Sequence, residues 1–150
     1  VARMSIAERV QRDIKQAMKE RDRARLGALR MINAALENAR IEAGKPLGEE
    51  EEIAVLRRQL KQREEAARAF REGGRPERAR AEEAEAEVVR SYLPEPLSRE
   101  EMERLVEEAI RQTGATGMKD MGAVMGRAMQ LAGGRAEGRE LAAMVRGRLQ

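Results

Sequence analysis

The chain has 150 residues, of which 38% are charged and only 1% aromatic, and its 30 basic and 27 acidic side chains give a net charge of +3. It contains no cysteine and no histidine, which excludes disulfides, zinc fingers, iron–sulfur centres and nucleophiles that depend on either residue. A core without aromatic residues favours helices packed on helices. No apolar run approaches the roughly 20 residues that span a bilayer, no signal peptide is visible, and we expect a cytoplasmic protein.

Four amphipathic helices are predicted in the first part of the chain. Their approximate ranges are 5–20, 22–43, 49–72 and 76–92. Ser5 and Glu8 have the spacing of a capping box at the start of the first helix, and glycine and proline residues separate the others. The fourth helix is rich in alanine and glutamate, so we expect it to lie on the outside of the bundle. Together they predict an N-terminal helical domain over residues 4–93, from which residues 1–3 are left out.

Two charged features of the third helix allow alternative interpretations. Its first turn holds four glutamates, Glu49–Glu52. We interpret them as a solvated turn that matches the helix dipole, and a divalent-metal site is the less favoured alternative. Arg63 stands where the apolar stripe requires another hydrophobic residue. It is either a cation that bridges two helices or a residue at the edge of the stripe, and we favour the edge.

A proline-rich segment marks the clearest boundary in the chain. Pro94 and Pro96 cannot continue a helix, and Ser98 with Glu101 has the spacing of a capping box that starts a new one. Three further helices are predicted, with approximate ranges 99–112, 118–132 and 139–149. No strand-like alternation occurs. The predicted fold class is therefore all-α, with an N-terminal four-helix domain of long helices followed by a C-terminal three-helix bundle over residues 98–150.

Positive charge is concentrated at both ends of the chain. Residues 1–40 contain ten basic and five acidic side chains, and residues 118–150 contain six and three. Basic residues around the last two helices are candidates for binding phosphate, since a helix N-terminus there also offers free N–H groups. The candidates are Lys119, Arg127, Arg135, Arg139 and Arg146. An ordinary solvated basic edge is the alternative. With almost no aromatic side chains to stack on bases, such a surface would hold RNA by its backbone.

Two periodic patterns on the sixth helix are interpreted as packing features. Gly122 and Gly126 are four residues apart, and small residues at this spacing allow close approach of either an RNA backbone or another helix. We favour helix packing. Methionines at helical spacing form a stripe that we interpret as an adaptable core rather than a partner-binding groove. These methionines are Met118, Met121, Met125 and Met129.

Six segments resemble the GatB/YqeY family. They are Leu29–Ala35, Gly44–Leu47, Lys61–Arg63, Ser91–Pro94, Met118–Gly122 with Val124–Gly126, and Gly134–Ala136. No single segment is specific, but six in this order and at these separations make a match that runs nearly from end to end. The chain resembles the stand-alone, YqeY-like form of the family.

The resemblance implies a tRNA-associated role for the C-terminal domain. Residues 98–150 are similar to the tail of the B subunit of glutamine-dependent aspartyl/glutamyl-tRNA amidotransferase. That tail is a helical appendage that engages tRNA, while the amidation chemistry lies in other domains. The N-terminal helices have no counterpart there, so no role is implied for them. The expected partner is tRNA, with an aminoacyl-tRNA synthetase or an amidotransferase as further candidates, and we expect no metal, cofactor or membrane partner.

Three functions follow from these observations. The first is a tRNA-binding accessory module in translation. The second is participation in carbon–nitrogen ligase activity with glutamine as amido donor, to which the family is linked, as part of an amidotransferase. The third is a helical protein–protein adaptor. Autonomous amide transfer needs a nucleophile and an ATP site, and the chain has no cysteine and no P-loop. We therefore expect no catalytic residues, and we favour tRNA binding.

Overall fold

The computed structural model describes residues 3–150, and its regular structure is helical throughout. These residues form seven α-helices and a short 3-10 turn at Met118–Asp120, with no strand among them. The helices are α1 (Ile6–Glu20), α2 (Arg23–Ala43), α3 (Glu49–Glu72), α4 (Pro76–Arg90), α5 (Arg99–Thr113), α6 (Met121–Ala132) and α7 (Gly138–Leu149). The predicted all-α class is confirmed. Two of the three residues left out of the predicted N-terminal domain lie outside the described residues.

Local capping interactions determine where the helices begin and end. Ser5 Oγ accepts the Glu8 N–H at 3.1 Å, while the Glu8 carboxylate accepts the Ser5 N–H at 3.1 Å. The same reciprocal pair forms between Ser98 and Glu101 at the start of α5. These are the capping boxes that the spacing predicts. The helix bounds agree with the predicted ranges to within about three residues, and the largest difference is at α6, where residues 118–120 form the 3-10 turn and the α-helix begins at Met121.

Contacts divide the chain into two compact units, one that extends to Leu93 and one at Pro94–Gln150. The first unit contains α1–α4 around an aliphatic core in which Tyr92 is the single buried aromatic residue. Helix α4 closes this core against α3, with Ala79, Ala86 and Val89 all buried. Nine of the fifteen residues of α4 are exposed, so the helix covers the core with one narrow face, in keeping with the expected position on the outside. Its small alanines let α3 approach closely, so a weakly apolar helix still packs on the bundle.

One of the four glutamates at the start of α3 is buried. Glu52 is only 3% exposed, and its carboxylate accepts the N–H groups of Ile6 at 3.1 Å and Ala7 at 2.9 Å. Those groups belong to the first turn of α1, where helix geometry leaves N–H donors without internal partners. Interpreting all four glutamates as a solvated turn is therefore wrong for Glu52, which caps a different helix. Glu49, Glu50 and Glu51 are exposed.

Arg63 joins α3 to α4. Its Nη1 atom lies 3.1 Å from the Glu82 carboxylate and 3.5 Å from that of Glu85, and its side chain is 24% exposed. The bridging interpretation is the correct one, and the favoured placement at the edge of the stripe is wrong. A half-buried guanidinium between two carboxylates provides charge-assisted hydrogen bonds that a hydrophobic residue would not.

The second unit is built from α5, α6 and α7. Its core contains small and branched aliphatic side chains, with Met102 at one margin. The most completely buried members are Val106, Ala109, Val124, Ala128, Leu141 and Val145. Because Ala109 and Ala128 are small, the three helices can pack at short range around Leu141. No helix among the described residues combines the length and apolar character needed to cross a membrane.

Candidate nucleic-acid interface

The exposed face of α6 is small and uncharged. Val124, Ala128 and Ala132 point into the core, and at 100° per residue the opposite side of the helix carries other positions. Those positions are Gly122, Ala123, Gly126 and Gln130, all of which are exposed, and we refer to them as the α6 platform. Helix α6 contains no acidic residue. A negatively charged molecule can therefore contact the outward face of α6 closely, because most side chains on that face are small and none carries negative charge to repel it.

The two platform glycines do not pack against another helix of this chain. A Cβ atom placed at Gly122 or Gly126 meets no heavy atom of the described residues within 4 Å beyond its own helical neighbourhood. The favoured interpretation, close packing with a second helix, is therefore not met within the described chain. Close approach at these glycines remains available to a separate molecule.

Two predicted cations follow one edge of the platform. Arg139 and Arg146 are exposed, and seven residues of helix place their side chains within about 20° of each other around α7. Glu140, Met144 and Gly147 line a groove between α7 and α5, so the two arginines lie toward the other edge of α7. On that side, a Cβ at Gly138 would lie 3.8 Å from the Met129 sulfur of α6. The edge that carries both arginines is therefore the one nearer to α6.

Arg127 follows the opposite edge of the platform, next to α5. Its Nε donates to the side-chain oxygen of Gln112, and its Nη1 donates to that of Gln130 at 3.0 Å. Both acceptors are neutral amides. The guanidinium is thus held in place, so little side-chain freedom remains to be lost on binding an anion. The Glu108 carboxylate is also close: its pKa is lowered mainly by hydrogen bonds from Arg111 and Gln112, and further by the charge of Arg127.

Lys119 lies at the N-terminal end of the platform, within the 3-10 turn, and is exposed. The neighbouring Asp120 carboxylate accepts the Thr116 N–H at 2.9 Å. That hydrogen bond is the main reason why the pKa of Asp120 is lowered, and the charge of Lys119 lowers it further. Lys119 therefore has an acidic neighbour in sequence, as Arg139 has in Glu140, and no ion pair of Lys119, Arg139 or Arg146 is found among residues 3–150.

Arg135 has a structural environment that differs from that of the other four candidates. Its Nε donates to the Glu95 carbonyl oxygen at 2.8 Å, and its Nη2 lies 3.9 Å from the Glu101 carboxylate. Its own carbonyl accepts the Leu97 N–H at 2.8 Å. Arg135 thereby ties the segment before α5 to the turn between α6 and α7. Its guanidinium is already engaged, so a phosphate contact would compete with these bonds.

The methionine stripe divides between core and surface. Met121 and Met125 pack against the core of the second unit, whereas Met118 and Met129 are 43% and 41% exposed. The interpretation of the whole stripe as core is wrong for the latter two. Sequence periodicity missed Val124, which is fully buried, because the more numerous methionines shift the apparent apolar face around the helix. It also missed Gln112 and Gln130, whose role depends on a contact between helices.

Five hydroxyl groups in the described chain are engaged in structural hydrogen bonds. Ser5 and Ser98 cap helices, Ser91 and Thr113 donate to backbone carbonyls within their own helical turns, and Tyr92 donates to Asp13. No group of three or more acidic side chains within residues 3–150 is arranged to hold a metal ion.

Comparisons with known proteins agree with the resemblance. The family model described as "Yqey-like protein" matches residues 7–149. The chain is 29% identical over 131 residues to "Altered inheritance of mitochondria protein 41, mitochondrial" of Pyrenophora tritici-repentis, covering 85% of this chain and 71% of that protein. It is 38% identical over 73 residues to the E subunit of glutamyl-tRNA(Gln) amidotransferase from Thermococcus gammatolerans, covering 46% of this chain but only 12% of that protein. Cytoplasmic location stays a prediction.

Proposed function

Because the chain belongs to the YqeY-like family, we propose that it is a tRNA-binding accessory module whose C-terminal unit contacts the RNA backbone. The partial similarity to an amidotransferase component named for its action on glutamyl-tRNA(Gln) supports tRNA as the ligand. That component is far longer than the matched segment, so the proposal concerns binding and assigns no catalytic step to this chain.

The observation that carries the proposal is the arrangement of cations around the α6 platform. Arg127 follows one edge, and Arg139 and Arg146 follow the other, while the helix between them has no acidic side chain. The glycines of the platform leave room for a sugar–phosphate backbone to approach the helix axis closely. Guanidinium groups are well suited to phosphate oxygens because they can donate two parallel hydrogen bonds.

In this proposal the platform positions a folded RNA rather than reading its sequence. The single tyrosine and the single phenylalanine of the chain belong to the first unit, so the second unit has no ring on which an unpaired base could stack. Contacts from Lys119, Arg127, Arg139 and Arg146 would give a slope of roughly −3 to −4 for log affinity against log salt. Arg135 acts in this scheme by holding the turn between α6 and α7.

We also propose that the two units are separate domains, a four-helix domain at residues 4–93 and a three-helix domain at residues 98–150. Two separate hydrophobic cores and the prolines Pro94 and Pro96 between them support this division. Limited proteolysis is expected to cut first within residues 94–97 and to leave two stable fragments. First cuts inside a helix of either unit would contradict the division.

Charge reversal at Arg139 and Arg146 together is expected to weaken tRNA binding on the order of 50-fold near 0.1 M salt. The reason is that two fewer phosphate contacts reduce the slope of log affinity against log salt by about 1.8. Fluorescence anisotropy with unfractionated tRNA at several salt concentrations measures both quantities. The matched control is Arg58→Glu with Lys61→Glu, which makes the same change in net charge at exposed positions of α3 in the first unit. Equal losses in both double variants would contradict a localised site.

A second variant tests the platform without changing charge. Leucine at Gly126 projects into open space and improves helix propensity by roughly 0.8 kcal/mol, so thermal stability is expected to hold or rise. RNA binding is expected to weaken, because the side chain keeps the backbone away from α6. Unchanged binding by Gly126→Leu would remove the platform from the proposal. A protein partner recovered from cells after RNase treatment would favour an adaptor or a component of an amidotransferase instead.

A further inference from the structure

The hairpin formed by α1 and α2 carries unpaired positive charge. Residues 15–30 contain six basic side chains and two acidic ones. Both acids are engaged: Glu20 accepts a hydrogen bond from Gln16 at 2.9 Å, and Asp22 caps α2 by accepting the Arg25 N–H at 3.1 Å. Five of the cations are exposed and have no ion pair within the described part of the chain. We call these five residues the basic hairpin: Lys15, Lys19, Arg21, Arg23 and Arg30.

Several arginines elsewhere in the same unit are paired with carboxylates, most of them across the interface between α3 and α4. Arg63 is held by Glu82 and Glu85, Arg71 by Glu83, and Arg90 by Glu64 and Glu87. All of these pairs involve α3 or α4. These pairs neutralise part of the α3–α4 face, although Arg58, Lys61 and Arg68 on α3 are exposed and have no ion pair among the described residues. The basic hairpin carries a local excess of positive charge, although Glu85 and Glu87 of α4 line a groove with Asp22 and Arg25 beside its turn.

Helix geometry directs these cations away from the core. On α2, Arg23 and Arg30 are seven residues apart, which places them on one stripe about 10 Å apart along the axis. Between them Gly27 is exposed, and a Cβ atom there would meet no described atom within 4 Å. The buried side of α2 carries Leu29 and Ile32, which lie on the opposite side. The stripe is therefore two cations separated by open, uncharged helix surface.

The turn of the hairpin holds an arginine in a backbone conformation that favours glycine. Arg21 ends α1 with φ of 57°, and it is the only non-glycine residue with positive φ among residues 3–150. The equivalent left-handed caps of α2, α5 and α6 are all glycines. A side chain in this conformation costs about 1 kcal/mol. A strained residue retained where glycine serves elsewhere points to a role for its side chain.

We propose that the basic hairpin is a second binding surface for the phosphate backbone of RNA. It lies in a different unit from the α6 platform and stands independently of the function proposed for that platform. Five cations without carboxylate partners are complementary to a polyanion, and contact with phosphates releases condensed counterions. An anionic membrane is the less suitable occupant: the apolar side of α1, with Ile6, Val10 and Ala17, is buried in the core and cannot enter a bilayer interface.

The test is a charge-reversal variant of the full chain, Lys19→Glu with Arg23→Glu and Arg30→Glu. Binding of unfractionated tRNA is expected to weaken by more than tenfold near 0.1 M salt, with the salt slope reduced by about 2 to 3. The matched control is Arg58→Glu with Lys61→Glu and Arg68→Glu, which makes the same charge change on exposed positions of α3 and is expected to weaken binding far less. Circular dichroism establishes that each variant is folded.

The outcomes separate this proposal from the one for the platform. Loss in the hairpin variant with an unchanged Arg139→Glu/Arg146→Glu variant supports the hairpin and contradicts the platform, and the reverse result contradicts the hairpin alone. Equal losses in the hairpin and α3 variants overturn the hairpin proposal. A second result also overturns it: the wild type binds vesicles of phosphatidylcholine with phosphatidylserine, and the hairpin variant loses this vesicle binding but keeps its affinity for tRNA.

A single substitution at Arg21 gives a readout that loss of structure could not mimic. Arg21→Gly relieves the left-handed strain, so the midpoint of thermal unfolding is expected to stay constant or rise. In the same protein, tRNA affinity is expected to fall severalfold, because one phosphate contact is gone. A variant that is at least as stable and binds tRNA with unchanged affinity would remove Arg21 from the surface and leave its strain without a functional reason.

Discussion

Replacing Glu52 by alanine is expected to lower the free energy of unfolding by about 3 kcal/mol. The substitution removes the carboxylate that accepts the N–H groups of Ile6 and Ala7. Ile6 is 6% exposed and Glu52 is 3% exposed, so water has poor access to the donors that are left. Two charge-assisted hydrogen bonds disappear, and the first turn of α1 loses the negative charge that complements its dipole.

Urea unfolding followed by circular dichroism measures this effect, and a residue in the same turn supplies the control. Glu50→Ala changes the same side chain to the same product within the same helical turn, but Glu50 is exposed. Its cost is expected to be about 0.5 kcal/mol or less, the size of a solvated helix-dipole interaction. If the two variants lose equal stability, Glu52 does not cap α1 in solution.

Features encoded by neighbouring residues could be predicted from the sequence. Ser98 and Glu101 are three positions apart, and that spacing alone is sufficient to specify a reciprocal cap. The same reasoning could not identify Glu52, because four consecutive glutamates look alike in a local pattern. What distinguishes Glu52 is the position of α1, since its partner Ala7 is 45 residues away in sequence. The role belongs to the tertiary structure.

The candidate interface shows the same division between local and tertiary information. The predicted cations at Arg139 and Arg146 share one stripe of α7 because helix periodicity places them there. Arg135 belongs to the same sequence cluster, yet the Glu95 carbonyl and the Glu101 carboxylate engage it. The sequence identifies Arg135 only as another basic residue, whereas the fold shows which acceptors its guanidinium binds. The glycines show the same limit: their small size permits close approach but does not identify the molecule that approaches, and no helix of the described chain does so.

Replacing Tyr92 by phenylalanine is expected to cost about 2 kcal/mol at neutral pH. The Tyr92 hydroxyl donates to the Asp13 carboxylate, and the Arg9 guanidinium lies 5.2 Å from the ring centroid. Burial would raise the pKa of Asp13, but hydrogen bonds from Tyr92 and Arg12 more than offset it and leave that pKa lowered. Phenylalanine keeps the aromatic ring in the core but lacks the hydroxyl, so the Asp13 carboxylate on α1 loses one of its hydrogen-bond donors.

The same pair makes stability depend on pH in a way that a single substitution isolates. Burial, together with the Asp13 carboxylate, raises the pKa of Tyr92 to about 12, whereas an exposed tyrosine in the unfolded chain titrates near 10. Between about pH 10 and 12 the unfolded state loses this proton while the folded state keeps it. The stabilisation that Tyr92 contributes is therefore complete below about pH 10 and is lost as the pH rises through that interval.

Comparing the two proteins removes the contribution of every other titrating group. Tyr92 is the only tyrosine, so lysine ionisation is common to the wild type and to Tyr92→Phe and cancels from their difference. We expect the stability advantage of the wild type in urea unfolding to be constant from about pH 7 to 9 and to shrink above about pH 10. Tyrosinate absorbance of the folded wild type should rise only near pH 12. A constant advantage up to about pH 12 would mean that neither burial nor the Asp13 carboxylate raises the pKa of Tyr92 in the folded protein.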